Sequence, residues 1–296
     1  MRFAFIPSSS TGRHPVLQRQ RCDPLDFPIE TISGARKQVF RGNVTMGDVA
    51  RSIKGSTPDG GPVGDGIQGV NSQWSFGGAV PQNFTEHVRR SVPLYDEGHA
   101  LICCISDYFV QPKSLVYDLG TSTGQLLGRL ASRHDSKPGV TFVGIDQEEG
   151  MIAQARKNVS HYSNVRLEVG NINLFHYEAC DLIVSCYTIQ FVPPRIRQDL
   201  INKIYNSLNW GGAFLLFEKI RAPDARFQDL CTGIYTDFKL ENGFCAEEIV
   251  NKTRSLKGVL EPFSTEGNLD LMRRAGFVDI MTVMKYVPFE GFLAIK

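Results

Sequence analysis

A turn of small residues joins an apolar segment to a helix-like segment, and an aspartate ends the next apolar segment. The two apolar segments are 115–119 and 140–145. The turn and the aspartate comprise Gly120, Thr121, Ser122, Gly124 and Asp146. In doubly wound sheets, a small-residue turn between strand and helix, followed by a carboxylate at the tip of the next strand, holds a nucleoside. The pattern therefore predicts a nucleoside-binding site at this turn.

The turn lacks the middle glycine of a dinucleotide-binding fingerprint. That glycine lets the backbone approach a pyrophosphate, but the position two residues after Gly120 is Ser122. Asp146 follows Gly124 by 22 residues (146 − 124), close to the spacing of about 20 expected of a carboxylate that binds ribose hydroxyls. S-Adenosylmethionine has such a ribose and no phosphate, so we expect this cofactor. The alternative is that both glycines serve only turn geometry and packing.

Further candidate residues stand next to strand ends. Asp118 precedes the turn, where it accepts hydrogen bonds from turn amides or from the ammonium group of the ligand, with simple turn capping as the alternative. Tyr187 and Gln190 lie at the end of the apolar segment 182–187. Open α/β sheets build substrate sites at such ends, and loop packing is the alternative. The cations that would neutralise an acidic substrate, or else are solvated surface charges, are Arg221, Arg226, Lys239 and Arg254.

Strand-like and helix-like segments alternate with short links from residue 115 to residue 217, which predicts a parallel sheet covered by helices on both faces. Two helical segments precede them, one at 84–91 behind Asn83 and one at 94–109. A helical pattern fills 224–260. The last two strands, 277–286 and 291–295, are separated by too few residues for a helical crossover and should pair antiparallel. The remaining predicted elements are strands 165–169 and 213–217 and helices 124–134, 149–161, 194–208 and 268–275.

Composition indicates a folded, soluble protein. The chain has 296 residues, 42% of them apolar, which is enough to bury a full core. Lys and Arg number 32 against 31 Asp and Glu, so the net charge of +1 signals neither nucleic acid nor an anionic membrane as partner. No apolar run is long enough to span a membrane, and residues 1–6 are too few for a signal-peptide core. We therefore expect a cytoplasmic protein with a small-molecule substrate.

The first 70 residues differ in composition from the rest. Segment 55–69 contains six glycines and two prolines, which neither sustain a helix nor bury much apolar area. This predicts a flexible N-terminal arm over residues 1–70 and one domain over residues 71–296, with local order in 2–6 and 36–54 as the alternative. The seven cysteines include no C-x-x-C pair and the six histidines show no ligand spacing, so we expect no disulfide framework and no metal site.

From residue 74 onward the chain resembles the class I S-adenosylmethionine-dependent methyltransferases, and among them most closely the carboxy-S-adenosylmethionine synthase family, which supplies a carboxymethyl donor for the wobble uridine of tRNA. The motifs that carry the resemblance are Trp74-Ser75-Phe76, Arg90-Ser91-Val92-Pro93-Leu94-Tyr95, Tyr117-Asp118-Leu119-Gly120, Thr188-Ile189-Gln190-Phe191, Gly211-Gly212-Ala213, Glu218-Lys219 and Asp237-Phe238-Lys239. The resemblance implies a doubly wound α/β fold with a mostly parallel, seven-stranded sheet and a reversed last strand. It also implies helices on both faces, extra N-terminal helices and a homodimer.

The resemblance also implies roles for particular residues. Tyr95 matches the family's tyrosine at the methionine carboxylate, Gly120 to Ser122 its glycine turn, and Asp146-Gln147 its ribose-binding pair. Asn171-Ile172 stands where the family has Asp-Ile beside the adenine. Cys186 stands where the family has an asparagine near the sulfonium, and so offers a weaker hydrogen-bonding group.

The largest departure from the family concerns its carboxylate-binding arginine. In a gapless alignment this arginine falls on Thr253, and Arg254 follows one residue later, about 100° further around a helix. We therefore expect a methyltransferase-type transferase that uses S-adenosylmethionine, or its carboxylated form, on a small molecule. Two alternatives stay open, a carboxy-S-adenosylmethionine synthase proper and a non-catalytic cofactor-binding scaffold. Because methyl transfer needs alignment more than acid–base groups, the lack of a catalytic triad decides nothing.

Overall fold

The computed structural model describes residues 60–296, which form nine strands and eight helices. The strands are β1 (Gly60–Pro62), β2 (Gln68–Val70), β3 (Leu115–Leu119), β4 (Thr141–Asp146), β5 (Val165–Val169), β6 (Cys180–Cys186), β7 (Leu208–Lys219), β8 (Asp279–Tyr286) and β9 (Phe289–Ile295). The helices are α1 (Val80–Ser91), α2 (Tyr95–Ser106), α3 (Gln125–Arg133), α4 (Glu149–Asn158), α5 (Pro194–Ser207), α6 (Ala225–Glu241), α7 (Ala246–Ser255) and α8 (Thr265–Ala275).

Seven of these strands form one sheet in the order β5-β4-β3-β6-β7-β9-β8. All neighbouring pairs are parallel except those of β9, which runs antiparallel to both β7 and β8. The predicted fold class is therefore confirmed, including the reversed last strand. The chain order of the strands reverses between β3 and β6, and such a point opens a crevice at the carboxyl ends of the strands.

Alternate residues of the central strands point to opposite faces, so each face has its own core. On one face Tyr117 and Phe214 pack with buried residues of α5 and α8. On the other face Val116 and Leu215 pack with buried residues of α2 and α3. The sheet is thus covered on both faces, as the continuous apolar segments predict, and its strand ends are held firmly enough to position a site.

Two predicted helix boundaries differ from the structure. The helical pattern over 224–260 is two helices, because the chain turns after α6 at Gly243, which adopts a φ of 84° that suits glycine. The first helix begins at Val80 rather than behind Asn83, and Pro81 occupies its first turn, where a missing N–H costs nothing. The side chain of Asn83 instead donates to the carbonyl of Ala79.

Residues 60–70 differ from the expected flexible arm. β1 and β2 form an antiparallel hairpin, and the connecting loop buries Val63 and Ile67 to 1% exposure. Asn251 of α7 donates to the Pro62 carbonyl at 3.1 Å. The glycines serve a tight hairpin here, because Gly64 has a φ of 97° and a side chain at this position would collide with the Phe244 ring. The rest of the predicted arm, residues 1–59, lies outside the described residues.

No helix between residues 60 and 296 is both long and apolar enough to cross a membrane.

The hairpin yields a test of stability. We expect Ile67→Ala to lower the free energy of unfolding by roughly 2–5 kcal/mol, because it removes buried methylene and methyl groups and leaves a cavity. Val70→Ala is the control, since Val70 is 44% exposed and its truncation should cost less than about 0.5 kcal/mol. Chemical denaturation of the full chain measures both. Equal stability of the two variants would restore the interpretation of residues 60–70 as a flexible segment.

Candidate functional site

A cavity of about 760 Å³ lies at the carboxyl ends of β3, β4, β6 and β7, at the point where the strand order reverses. The end residues of these strands line it, together with residues of the β1–β2 hairpin and of α1, α2, α6 and α7. A cavity of this size accommodates a nucleoside together with a second small molecule. The site therefore has two regions, one at the turn after β3 and a second region lined by residues of α6 and α7.

The turn after β3 is fixed by the end of β4. The N–H groups of Gly120 and Thr121 both donate to the Ile145 carbonyl, at 2.8 and 3.0 Å. Gly120 has a φ of 73°, and a side chain there would collide with Thr188. Gly124, with a φ of 75°, starts α3 as its N-cap residue. Only glycine meets both demands at position 120 without strain.

Two carboxylates flank this turn. Asp146 accepts from the backbone N–H groups of Ser122 and Glu148, each at 2.9 Å, so it joins the turn to the loop after β4. Asp118 is 2% exposed and accepts from the Thr121 hydroxyl at 2.7 Å. Burial raises the pKa of Asp118 to about 7, although the Thr121 hydrogen bond opposes the shift, and burial also raises the pKa of Asp146. Asp118 is thus a buried carboxylate that a cationic ligand would stabilise.

Aromatic side chains form the wall beside the sheet. The Tyr95 ring at the start of α2 lies 4.3 Å from the His99 ring and 6.4 Å from that of Tyr187. Tyr187 has a φ of 59°, an unusual conformation for a bulky residue, and its N–H donates to the Phe217 carbonyl at 2.7 Å. Burial raises the pKa of both tyrosines, so they are protonated donors. The Tyr187 hydroxyl is buried without a partner among residues 60–296.

The residues predicted beside the adenine and the sulfonium, Asn171, Ile172 and Cys186, offer few free polar groups to a ligand. Asn171 is exposed, and its side-chain oxygen accepts from both the backbone N–H and the side chain of Asn173, at 2.9 Å each. It therefore shapes its own loop, whereas Ile172 is buried and offers an apolar surface. Burial raises the pKa of Cys186, so this side chain is a neutral thiol.

The structure brings most of the predicted site residues to the cavity wall. They are Tyr95, Asp118, Gly120, Thr121, Ser122, Asp146, Gln147, Asn171, Ile172, Cys186, Tyr187 and Gln190. Two predicted residues do not line the cavity. Gly124 is the N-cap residue of α3, and Arg254 is exposed on α7. The Gln190 amide donates to the Tyr187 carbonyl and accepts from the Lys219 N–H, so it joins the ends of β6 and β7 rather than pointing a free group at a ligand.

Among the predicted cations, Lys239 and Arg221 line the cavity, whereas the Arg226 side chain is 90% exposed. The structure adds three lysines to whose side chains no role had been assigned, Lys219 at the end of β7, Lys252 on α7 and the exposed Lys257 after α7. The position of Lys219 at a strand end of a parallel sheet was the available signal. Lys252 has no such signal, because only the packing of α7 brings it to the cavity.

The ammonium groups of Lys219, Lys239 and Lys252 lie over aromatic rings rather than beside carboxylates. The ammonium groups of Lys219 and Lys239 lie 4.4 and 4.3 Å from the centre of the Tyr235 ring, and that of Lys252 lies 2.8 Å from the Trp74 ring centre. None of the three forms an ion pair with any residue from 60 to 296. Burial lowers the pKa of both Lys219 and Lys239 to about 8 and that of Lys252 well below its usual value. An anion in this region would stabilise their charged forms.

No group of His, Cys, Asp and Glu within the described part of the chain is arranged to hold a metal ion.

Comparison with known proteins agrees with this geometry. A profile of the family described as "Methyltransferase domain" matches residues 116–212. The carboxy-S-adenosyl-L-methionine synthase of Staphylococcus epidermidis is 36% identical over 225 residues, which cover 76% of this chain and 97% of that protein. The synthase of Sulfurimonas denitrificans is 33% identical over 228 residues, which cover 77% of this chain and 96% of that protein.

Solved structures show the same fold at low identity. The apo S-adenosylmethionine-dependent methyltransferase SibL is 16% identical with a TM-score of 0.52, over 73% of this chain and 58% of that one. Human N-acetylserotonin methyltransferase in complex with SAM is 17% identical with a TM-score of 0.51, over 74% and 56% of the two chains. This chain thus spans little more than half the length of either neighbour.

The identity to curated relatives extends over three quarters of the chain and almost their whole length, and the fold and the methyltransferase profile agree with it. Membership implies S-adenosylmethionine as cofactor or substrate and a transferase enzyme rather than a non-catalytic scaffold. The chain belongs to the class I S-adenosylmethionine-dependent methyltransferases and, within them, to the family of the carboxy-S-adenosyl-L-methionine synthases.

Proposed function

We propose that this chain makes carboxy-S-adenosylmethionine from S-adenosylmethionine and a small carboxylic acid that donates the carboxyl group. The carboxyl group leaves the donor with cleavage of its C–C bond and replaces one hydrogen of the sulfonium methyl group, and the remainder of the donor takes up the proton that this methyl group loses. The observation that carries the proposal is a group of three lysines, the buried Lys239 and the half-buried Lys219 and Lys252, which line the cavity without ion-pair partners among the described residues. Transfer of a methyl group to a neutral acceptor gives no reason to keep three unpaired lysines, buried or half-buried, in the cavity wall, whereas a carboxylate-bearing substrate does. The names of the curated relatives support the same chemistry.

In this proposal the turn after β3 holds the nucleoside. Asp146 accepts hydrogen bonds from the ribose hydroxyls with the oxygen lone pairs that its two backbone bonds leave free. Asp118 faces the ammonium group of the methionine portion, and the protonated Tyr95 hydroxyl donates to its carboxylate. Ile172 contributes an apolar surface for the adenine. The cofactor supplies the reactive sulfonium and its methyl group, and the chain binds and orients it.

The lysines take over carboxylate binding from the arginine that the family carries. Thr253 lines the cavity, but its hydroxyl donates to the Ile249 carbonyl within α7 at 2.8 Å. Arg254 lies outside the cavity. Arg221 also lines the cavity but pairs with Glu261, and the cavity-lining Lys257 is exposed. The other cavity cations are Lys239 from α6, Lys219 from β7 and Lys252 from α7, which approach the second region from three elements. A carboxylate between them would be paired without an arginine.

One observation favours a second candidate function. Thr253 offers no bidentate partner to a carboxymethyl group on the sulfonium, which favours plain methyl transfer to an anionic small-molecule acceptor. This candidate uses the same lysines to bind the acceptor. The two candidates differ in the nucleoside that they leave in the site, because only the first produces a carboxylated one.

The lysines are tested by mass spectrometry of the nucleoside that the purified protein releases. We expect the wild type to release the carboxylated nucleoside. Lys219→Met and Lys239→Met should release S-adenosylmethionine or its demethylated product instead, because each removes one charge partner of the carboxylate. Lys157→Met on the exposed face of α4 is the matched control and should behave as the wild type. Release of only non-carboxylated nucleosides by the wild type would contradict synthesis and favour the methyl-transfer candidate.

The nucleoside site is tested at Asp146. We expect Asp146→Ala to weaken the binding of S-adenosylmethionine by roughly tenfold to 150-fold, the equivalent of about 1.5–3 kcal/mol for hydrogen bonds to a charged acceptor. Asp135→Ala, an exposed aspartate outside the cavity, should leave the affinity unchanged. Isothermal titration calorimetry measures both. An unchanged affinity in Asp146→Ala, or equal affinity of the wild type for NAD, would overturn the assignment.

Asp118 makes cofactor binding depend on pH. Its pKa of about 7 in the free protein means that the carboxyl is largely protonated below pH 7, whereas a ligand ammonium group stabilises the ionised form. Binding then releases a proton, and the affinity should fall by up to tenfold for each pH unit below 7 and level off above it. Calorimetry between pH 5.5 and 8.5 measures the slope. Asp118→Asn should remove it, and an identical slope in that variant would place the titrating group elsewhere.

A further inference from the structure

One face of α6 presents a thiol and an ammonium group to the cavity. Cys231, Tyr235 and Lys239 follow one another at intervals of four residues, and all three line the cavity. Residues four apart on a helix are neighbours, with their Cβ atoms about 5–6 Å apart. Helical side chains lean toward the N-terminus, so Lys239 reaches back over the Tyr235 ring in the direction of Cys231. The thiol and the cation therefore belong to the same wall of the cavity.

The cation on this wall has no counter-charge within the described part of the chain. Lys239 is 9% exposed, and its ammonium group forms neither an ion pair nor a hydrogen bond with any residue from 60 to 296. Its nitrogen still has accessible surface, so a ligand in the cavity can contact it. The ammonium group of Lys219 lies over the same Tyr235 ring, 4.4 Å from its centre. The two ammonium groups form a positive region that raises the local concentration of small anions.

Cys231 combines access with these cations, and the other described cysteines do not. It is half-buried in the cavity wall, where a small molecule reaches it. Reactive cysteines are found in such partly exposed, electropositive surroundings. Cys186 also lines the cavity, but burial raises its pKa well above the usual value and keeps it a neutral thiol, which is not the nucleophilic form. The described cysteines outside the cavity are Cys103, Cys104, Cys180 and Cys245.

We propose that Cys231 is a covalent modification site for small carboxylates that carry an electrophilic carbon. The carboxylate binds to the ammonium groups of Lys239 and Lys219, which holds the electrophilic carbon near the sulfur. With a halogenated acid, an S–C bond forms, the halide leaves with the electron pair of its bond to carbon, and the thiol proton goes to solvent. With an unsaturated acid, the sulfur bonds to one carbon of the double bond and the thiol proton goes to the other.

The modification leaves a carboxylate tethered beside the lysines. The site itself depends only on the thiol and on the cations that line the cavity with it. Its consequence for catalysis rests on the proposed function, because the tethered carboxylate occupies the region that the carboxylate of the substrate would need. Small electrophilic acids are then irreversible inhibitors that the cavity itself selects.

Two alkylating reagents that differ in charge test the proposal. Iodoacetate is an anion and iodoacetamide is neutral, and both carry iodine on a methylene group. The full chain reacts with each reagent, and mass spectrometry of its peptides gives the alkylation rate at each cysteine. We expect the ratio of the iodoacetate rate to the iodoacetamide rate to be at least about tenfold higher at Cys231 than at the exposed Cys104. The reason is that a positively charged cleft raises the local anion concentration by roughly 10-fold to 10³-fold.

A variant and a competitor separate attraction by the cations from simple exposure of the thiol. Lys239→Met keeps an unbranched side chain and removes the charge, so the ratio at Cys231 should fall most of the way toward that at Cys104. Lys157→Met, on the exposed face of α4, is the matched control and should keep the wild-type ratio. In the wild type, excess succinate should slow the reaction of iodoacetate at Cys231 and leave that at Cys104 unchanged, because its carboxylates occupy the same lysines.

Equal ratios at Cys231 and Cys104 in the wild type, no alkylation of Cys231 by either reagent, or an iodoacetate rate there that excess succinate does not change would overturn the proposal. An unchanged ratio in a Lys239→Met variant that circular dichroism shows to be folded would do the same, and the succinate experiment decides alone if this variant does not fold. Because no turnover is measured, these outcomes leave the proposed synthesis intact. Conversely, release of only non-carboxylated nucleosides by the wild type leaves the modification site intact.

Discussion

Two neighbouring acceptors at the end of β4 hold three backbone N–H groups of the turn after β3, and the position of the whole site depends on this arrangement. The Ile145 carbonyl accepts from Gly120 and Thr121, and the Asp146 carboxylate accepts from Ser122. The arrangement exists because β3 and β4 are parallel and in register, so their carboxyl ends stop at the same edge. The turn is thereby preorganised before any ligand binds, which lowers the entropic cost of binding.

The cavity separates buried or half-buried ionisable groups of opposite sign. Asp118 lies at the turn, whereas the three lysines lie below α6 and α7, and none of these groups has a partner of opposite charge among the described residues that would offset the cost of burial. Isolated buried charges are destabilising, and they shift their pKa values toward neutrality, as Asp118, Lys219 and Lys239 do. Under the proposed function each region meets its counter-charge only when both molecules are bound. The instability of the empty site is then part of its selectivity, since a neutral ligand would leave these charges unpaired.

Features that depend on residues close together in the chain were predictable from the sequence, whereas features that depend on packing between distant segments were not. The turn, its carboxylates and the reversed strand follow from patterns within a few dozen residues, and the structure contains them. The lysine group could not be predicted, because β7, α6 and α7 meet only through tertiary packing, and a single lysine in a sequence is most often a surface charge. The hairpin was misread for a related reason. Glycine-rich composition resembles that of a linker, and only the fit of Val63 and Ile67 against Trp74 distinguishes the two.

Under the proposed function, several lysines take the place of one arginine, which changes how a carboxylate is recognised. A guanidinium grips both carboxylate oxygens in one plane, so a single side chain fixes the orientation of the ligand. An ammonium group is a point charge and fixes no orientation by itself, so orientation must come from the elements that carry the lysines. In this chain the hairpin and α1 hold those elements in place. Asn251 of α7 donates to the Pro62 carbonyl of the hairpin, and Arg90 of α1 donates to the Asn242 carbonyl after α6. Under the proposed function, the orientation of a second substrate is therefore a property of the assembled wall rather than of one side chain.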